Sequence, residues 1–250
     1  FSPTVKIYVN LEEILREIGR VANQLGKPTA FYHGKLQDGL ALDPLTAYST
    51  ILVPFFARHR YARQVLLTKS VSVERLLDLP HEGHTTLSWS LNPPSIARLF
   101  EWNVPAVEER LDAMERCARA GYPVRAVIMP IILQPNWEEE CAAFLRGLLP
   151  RIPLERLTLG GICSYKQALR LMEHRLGTDN AISRNLLRTS DTDDGRIRYA
   201  AQSRLRAYNK LIEVARDIRP DLEVGLCLEE PAVWHHIHEH WRLGRCNCVL

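Results

Sequence analysis

No run of about 18 apolar residues occurs in the chain, so nothing in it reads as a membrane span. Phe1-Ser2-Pro3 does not lead into the basic start and apolar middle of a secretory signal. A cytoplasmic location without a membrane partner is the default expectation. Cysteine is sparse: the six at 117, 141, 163, 227, 246 and 248 lie far apart except for the last pair. That excludes the dense framework of a disulfide-stapled secreted scaffold and predicts reduced thiols. Cys117 and Cys141 fall inside amphipathic helical patterns, where a small buried thiol is ordinary. An excess of one charge is also missing, since a formal net charge of +3 does not by itself argue for nucleic acid. No Pro/Gly/Ser-rich linker, internal repeat or low-complexity tract interrupts the sequence, and one domain over residues 1–250 is expected.

What is present is ample for one large α/β core: 250 residues, 46% hydrophobic and 24% charged. The pattern predicts a strand over 5–9. Asn10 then caps a helix whose Leu11, Ile14, Leu15, Ile18 and Val21 recur at helical spacing, and Gly26 closes it. A strand over 29–32 runs into His33-Gly34-Lys35, and Asp43-Pro44 opens another helix. Strands follow at 65–68, 85–90, 124–133 and 157–162, alternating with helices near 72–78, 104–120 and 136–149. A helix over 200–216 and a strand over 223–228 complete the series. Apolar strands such as Val127-Ile128-Met129-Pro130-Ile131-Ile132-Leu133 are those of a parallel sheet covered by helices, so βα repetition predicts a barrel, whole or partial.

The carboxyl ends of two strands carry polar groups: Thr68-Lys69-Ser70 after one, Ser88-Trp89-Ser90-Leu91-Asn92 at the other. In parallel α/β folds ligands sit at that end, beneath the loops and helix N-termini that follow. Lys69, Ser90 and Asn92 are therefore expected to line one pocket.

VKIYVNLEEIL (5–15), HGKLQDGLALDPLT (33–46), LLTKS (66–70), LLDLPHEGHTTLSWSLNP (76–93), ERLDAMERCARAGYPVRAVIMPIILQPNWEEE (109–140), LCLEEPAVW (226–234) and CNC (246–248) cover nearly the whole chain in order. Together they resemble the spore photoproduct lyase-like family of radical S-adenosylmethionine proteins, often labelled DNA repair photolyases. The resemblance implies a partial (β/α)6-type TIM barrel of the radical S-adenosylmethionine kind, with residues 196–250 as a C-terminal helix–strand extension of the same domain. It implies a lyase-type enzyme that generates a 5'-deoxyadenosyl radical to act on a nucleic-acid lesion or related substrate. Its cofactors would be S-adenosylmethionine and a 4Fe-4S cluster held by a CxxxCxxC loop. No such loop stands in this sequence, and thiolates are what hold such clusters, so the cluster ligands are expected upstream of Phe1. A cluster-free barrel that binds nucleic acid or a protein partner without catalysis is the alternative.

By the same resemblance Lys69 and Ser90 touch S-adenosylmethionine and Asn92 its ribose; ammonium suits a carboxylate, hydroxyl and amide suit a sugar. Many members end the second strand with Gly-Glu, whose carboxylate holds the methionine ammonium, where this chain has Gly34-Lys35. Asp38 is the candidate replacement if its loop folds back. Family members also carry a cysteine in this segment that returns a hydrogen atom to the product, and none lies between Phe1 and Cys117.

Three further groups stand out. Arg184, Arg188, Arg196, Arg198, Arg204, Arg206 and Lys210, interleaved with Tyr199 and Tyr208, have the composition of a phosphate-binding and base-stacking surface, or of a plain solvated helix face. His236 and His240 on a helix, with Cys246 and Cys248, offer four metal donors, but Cys-x-Cys without a second pair is a poor zinc site, and no metal ligand is assigned. Cys246 and Cys248 are instead candidates for thiols reaching back over the barrel mouth as hydrogen donors, or for holding a second cluster, and Cys163, at a strand's carboxyl end, is a third candidate donor. The bland reading of each is a small residue in a loop or tail.

Overall fold

The computed structural model describes residues 6–34, 37–186 and 194–250. Its elements run α1 Leu11–Leu25, β1 Thr29–His33, α2 Asp43–Thr46, α3 Ser49–Arg58, β2 Ala62–Thr68, β3 Thr85–Leu91, α4 Pro94–Phe100, α5 Val107–Arg119, β4 Val124–Ile131 and α6 Trp137–Arg151. Then come β5 Arg156–Gly161, β6 Cys163–Ser164, α7 Lys166–Leu176, α8 Ala181–Asn185, β7 Ile197–Arg198, α9 Ala201–Ile218, β8 Glu223–Leu226 and α10 Pro231–His240. Six strands form one sheet in the order β1-β2-β3-β4-β5-β8, every pair parallel. β6 and β7 make a separate antiparallel pair. This is the expected partial barrel, and the 196–250 segment supplies its sixth strand.

Side chains alternate across each strand. From β3, Leu87, Trp89 and Leu91 join the main apolar core with Leu111 and Met114 of α5, Leu145 and Leu148 of α6 and Leu211 of α9. Ser88 and Ser90 face the other way, onto the concave side. There the register sets Ser88 opposite Arg125, Arg125 opposite Arg156, and Arg156 opposite Glu223.

This polar floor is occupied by residues 244–249. Arg125 Nη1 donates to the carbonyls of Asn247 (3.1 Å) and Val249 (2.8 Å), and Arg156 Nη1 to those of Cys246 (2.9 Å) and Val249 (2.8 Å). Ser88 Oγ donates to Asn247 Oδ1 at 2.9 Å, and Asn247 Nδ2 reaches Tyr32 Oη of β1 at 3.3 Å. Gly244 N donates to Val224 O of β8 at 2.7 Å. The segment therefore bridges the two edge strands, β1 and β8. Gly225 permits this close approach: a Cβ there would stand 2.0 Å from Arg245 O.

Three expectations fail. Residues 6–10 carry no strand; Ile7, Tyr8 and Val9 are exposed, so the alternation there finds no sheet to pair with, and Val5 lies outside the described residues. The 72–78 stretch forms turns rather than a helix: Val73 and Leu76 are buried while Arg75 Nη1 donates to Asp43 O at 3.0 Å and Tyr122 Oη to Leu76 O at 2.8 Å. The strands expected to reach 133 and 228 stop at Ile131 and Leu226.

Candidate active site

The carboxyl ends of β2 and β3 meet through their side chains. Lys69 Nζ donates to Ser90 Oγ at 2.5 Å. Parallel register explains it, because Thr68 pairs with Trp89 and so sets Lys69 beside Ser90 on the concave face. Behind them stands Glu101, at the end of α4. Its Oε1 accepts from Asn92 Nδ2 at 3.0 Å and lies 3.8 Å from Lys69 Nζ, and its Oε2 accepts from Arg110 Nη1 at 2.6 Å. Arg110, 1% exposed on α5, also donates to Ser90 O at 3.2 Å and through Nε to Pro105 O at 2.8 Å. Burial pushes the Lys69 ammonium below its ordinary pKa, and Glu101 opposes that shift. Sequence reasoning finds Lys69, Ser90 and Asn92 but misses Glu101 and Arg110, whose pairing links α4 to α5 and leaves no spacing signature.

Gly34 leaves β1 with φ +102, and a Cβ on it would stand 2.3 Å from Leu67 O, so β1 and β2 close up here only around glycine. Lys35 lies outside the described residues. Asp38 lies on a loop that folds back onto the end of β2. Its Oδ1 accepts from Leu40 N and Ala41 N at 2.9 Å each and from Thr68 Oγ1 at 2.6 Å, and its Oδ2 from Lys69 N at 2.5 Å. Four donors occupy the lone pairs of one carboxylate, so Asp38 fastens the loop to the end of β2 and positions Lys69.

The arginine-rich stretch divides by burial. Arg198 is 6% exposed and donates from Nη1 and Nη2 to Asp194 at 2.9 and 2.6 Å, while Tyr199 is 2% exposed in an apolar cluster with Ile96, Ile132 and Ile182. Neither can meet a phosphate or a base from there, which corrects the surface reading of both. Arg204 is ion-paired to Glu229 and Glu230, and Tyr208 donates to Glu229 at 2.7 Å while accepting from Gly161 N at 2.8 Å. These residues tie α9 to the carboxyl ends of β5 and β8. Arg188 lies outside the described residues. Arg184 is exposed beside Asp179, and Arg196 lies over the Tyr165 ring, 5.6 Å from its centroid, with Nη1 3.9 Å from Cys163 Sγ.

Cys163 thus belongs to the β6–β7 pair. Cys246 and Cys248 sit in the segment that crosses the barrel floor, with their sulfurs 3.5 Å apart. His236 and His240 stack edge-on at 5.2 Å on α10. Among the described residues no three His, Cys, Asp or Glu side chains group as a metal ion requires.

A family model described as spore photoproduct lyase matches residues 1–182. The spore photoproduct lyase of Clostridium acetobutylicum is 27% identical over 147 residues, 58% of this chain and 44% of that protein. The one from Geobacillus sp. is 29% identical over 180 residues, 70% of this chain and 53% of that protein. The chain spans about half the length of the curated relatives it matches. Among solved structures, a mutant spore photoproduct lyase with bound AdoMet and dinucleoside spore photoproduct aligns at TM-score 0.80 and 23% identity, over 89% of this chain and 68% of that one. At that identity the likeness speaks for the fold.

Proposed function

As the chain belongs to the spore photoproduct lyase family, we propose that it provides the S-adenosylmethionine-binding barrel of a radical lyase acting on a nucleic-acid lesion. The observation that carries this reading is the convergence of Lys69, Ser90 and Asn92 around Glu101 at one rim of the half-barrel. Their chemistry fits the ligand: a half-buried ammonium for its carboxylate and a hydroxyl for its ribose, while Asn92, 2% exposed and donating to Glu101, steadies the Glu101 carboxylate. S-adenosylmethionine held there by Lys69 and Ser90 would supply radical chemistry from its sulfonium carbon–sulfur bond, given an electron from outside the described residues.

The residues of this chain bind, orient and shield. Glu101 opposes the loss of charge that burial favours at Lys69, Arg110 holds Glu101 and the Ser90 carbonyl in place, and Asp38 fixes the backbone that presents Lys69. The 4Fe-4S cluster expected from the resemblance finds no fit among the described residues, which hold no CxxxCxxC spacing and no three-ligand group. For the lesion strand, exposed Arg184 and rim-facing Arg196 support backbone contacts, and the buried Arg198 and Tyr199 take no part.

Calorimetric titration with S-adenosylmethionine tests the site without turnover. Lys69→Met and Ser90→Ala are each expected to weaken binding roughly tenfold or more, the loss of a charge-assisted hydrogen bond. Equal affinity in wild type and both variants overturns the reading and favours a barrel that binds partners without this cofactor. For nucleic acid, Arg184→Ala combined with Arg196→Ala is expected to lower the slope of log affinity against log salt by about one for each phosphate no longer neutralised. An unchanged slope removes these arginines from the interface.

A further inference from the structure

Half of the chain's six cysteines come together on the concave side of the barrel. Cys227 continues β8, its N–H donating to Leu159 O of β5 at 2.8 Å. Glu223 and Gly225 both touch residues 244–245, so alternation along the strand turns Cys227 to the same side. Cys246 and Cys248 arrive on the crossing segment, which Arg125, Arg156, Ser88 and Tyr32 pin in place. All three cysteines are reduced and partly accessible.

Within this group Cys246 is the acceptor. The Cys248 thiol donates to its sulfur at 3.5 Å, the Cys227 thiol also bonds to it, and the backbone N–H groups of Asn247 and Cys248 turn toward it. Two thiol and two amide donors around one sulfur are the surroundings of an anion.

We propose that Cys246 and Cys248 form a reactive dithiol, with Cys246 as the attacking sulfur and small-molecule disulfides of the glutathione class as its substrate. Cys246 thiolate attacks one sulfur of the small disulfide, forming a mixed disulfide and expelling one small thiolate. Cys248, giving up its proton, then attacks Cys246 Sγ and expels the second. The protein's thiolate and thiol become one disulfide and the small disulfide is reduced to two thiols, one proton coming from Cys248 and the other from the solvent that took up the Cys246 proton on ionisation.

The electrostatics agree with this assignment. The hydrogen bond from Cys227, with those from Cys248 and the backbone, brings Cys246 down to about 5 against the opposing effect of burial. Cys117 and Cys141, buried without such donors, are pushed up to about 12. Tyr32, facing the same sulfurs, is raised to about 12 by burial and stays neutral, so it adds no repelling charge. The other charged groups about the segment are the Arg125 guanidinium, paired with Glu155, the Arg156 guanidinium, paired with Glu223, and Arg245, which also pairs with Glu223.

Alkylation by iodoacetamide, followed by peptide mapping of the full chain under anaerobic conditions, tests the first half. A low-pKa thiolate is less nucleophilic in itself, so the contrast is sharpest at mildly acid pH, where Cys246 is expected to react roughly tenfold faster than Cys163. Oxidised glutathione should then give a mapped Cys246–Cys248 disulfide, Cys248→Ser should stop at a glutathione adduct on Cys246, and Cys246→Ser should consume no oxidised glutathione. Alkylation of Cys246 no faster than Cys163 in wild-type protein, a disulfide mapped to any other pair, or consumption that persists in Cys246→Ser overturns the proposal. These readouts need neither S-adenosylmethionine nor lesion turnover, so they stand or fall separately from the proposed lyase function.

Discussion

Glu223 is held by two guanidiniums, the buried Arg156 and the exposed Arg245. Burial alone would raise its pKa, but Arg245 and Arg156 hold it down to about 2. A carboxylate depressed in the fold contributes stability that is present above its unfolded value near 4.5 and is lost as pH falls through about 2. Glu223→Gln should therefore cost about 2–3 kcal/mol in urea unfolding at pH 7, with the deficit shrinking as both proteins are taken toward pH 2. An equal deficit at both pH values would mean that packing rather than charge is at stake. Gly34 carries a backbone constraint instead. With φ +102 and Leu67 O only 2.3 Å from where a methyl group would stand, Gly34→Ala should lose about 1–3 kcal/mol and weaken S-adenosylmethionine binding by moving β1 away from β2. Unchanged stability would show that the loop relaxes freely.

At the scale of elements, parallel strands were the legible part of the sequence, because a strand covered on both faces is apolar throughout: β2, β3, β4 and β5 all fall where their apolar runs lie. The helices α3 and α7 were not legible. Pro54 interrupts the first, and the second buries only Leu169, leaving no stripe to read. Residues 72–78 mislead in the opposite sense, since SVERLLD has helical spacing but is pinned by tertiary bonds from Arg75 and Tyr122. The site shows the same division. Lys69 and Ser90 are visible as polar ends of apolar strands, whereas Glu101 and Arg110 acquire their role only when α4 and α5 fold together. Arg125 and Arg156 did carry a signal, a charge at the start of an otherwise apolar strand, which marks a polar contact inside a barrel. Between α9 and the strand ends, Tyr208→Phe removes a bond to Gly161 N and one to Glu229. A loss of about 1–3 kcal/mol in denaturant unfolding is expected from those two buried groups left unsatisfied, and no loss would mean that Arg204 alone holds this junction.

For the whole molecule, the decisive feature is an open sheet whose interior is filled by its own late segment. Arg156 is fully buried and satisfies the carbonyls of Cys246 and Val249. Arg156→Met should cost about 2–4 kcal/mol, because those carbonyls and Glu223 lose a buried charged partner. Hydrogen–deuterium exchange should at the same time lose protection across 244–249, and retained protection there would assign the anchoring to Arg125 instead.

Tyr32 and Asn247 meet across 215 residues of chain. Ribosomes add about 5–20 residues per second, so β1 waits on the order of ten seconds or more for its counterpart to be made. Until then the Arg125 and Arg156 guanidiniums, once made, have only water in place of the carbonyls of Cys246, Asn247 and Val249. Completion of this barrel thus waits on residues 244–249, which displace water from a shell that the strands made before them have already raised.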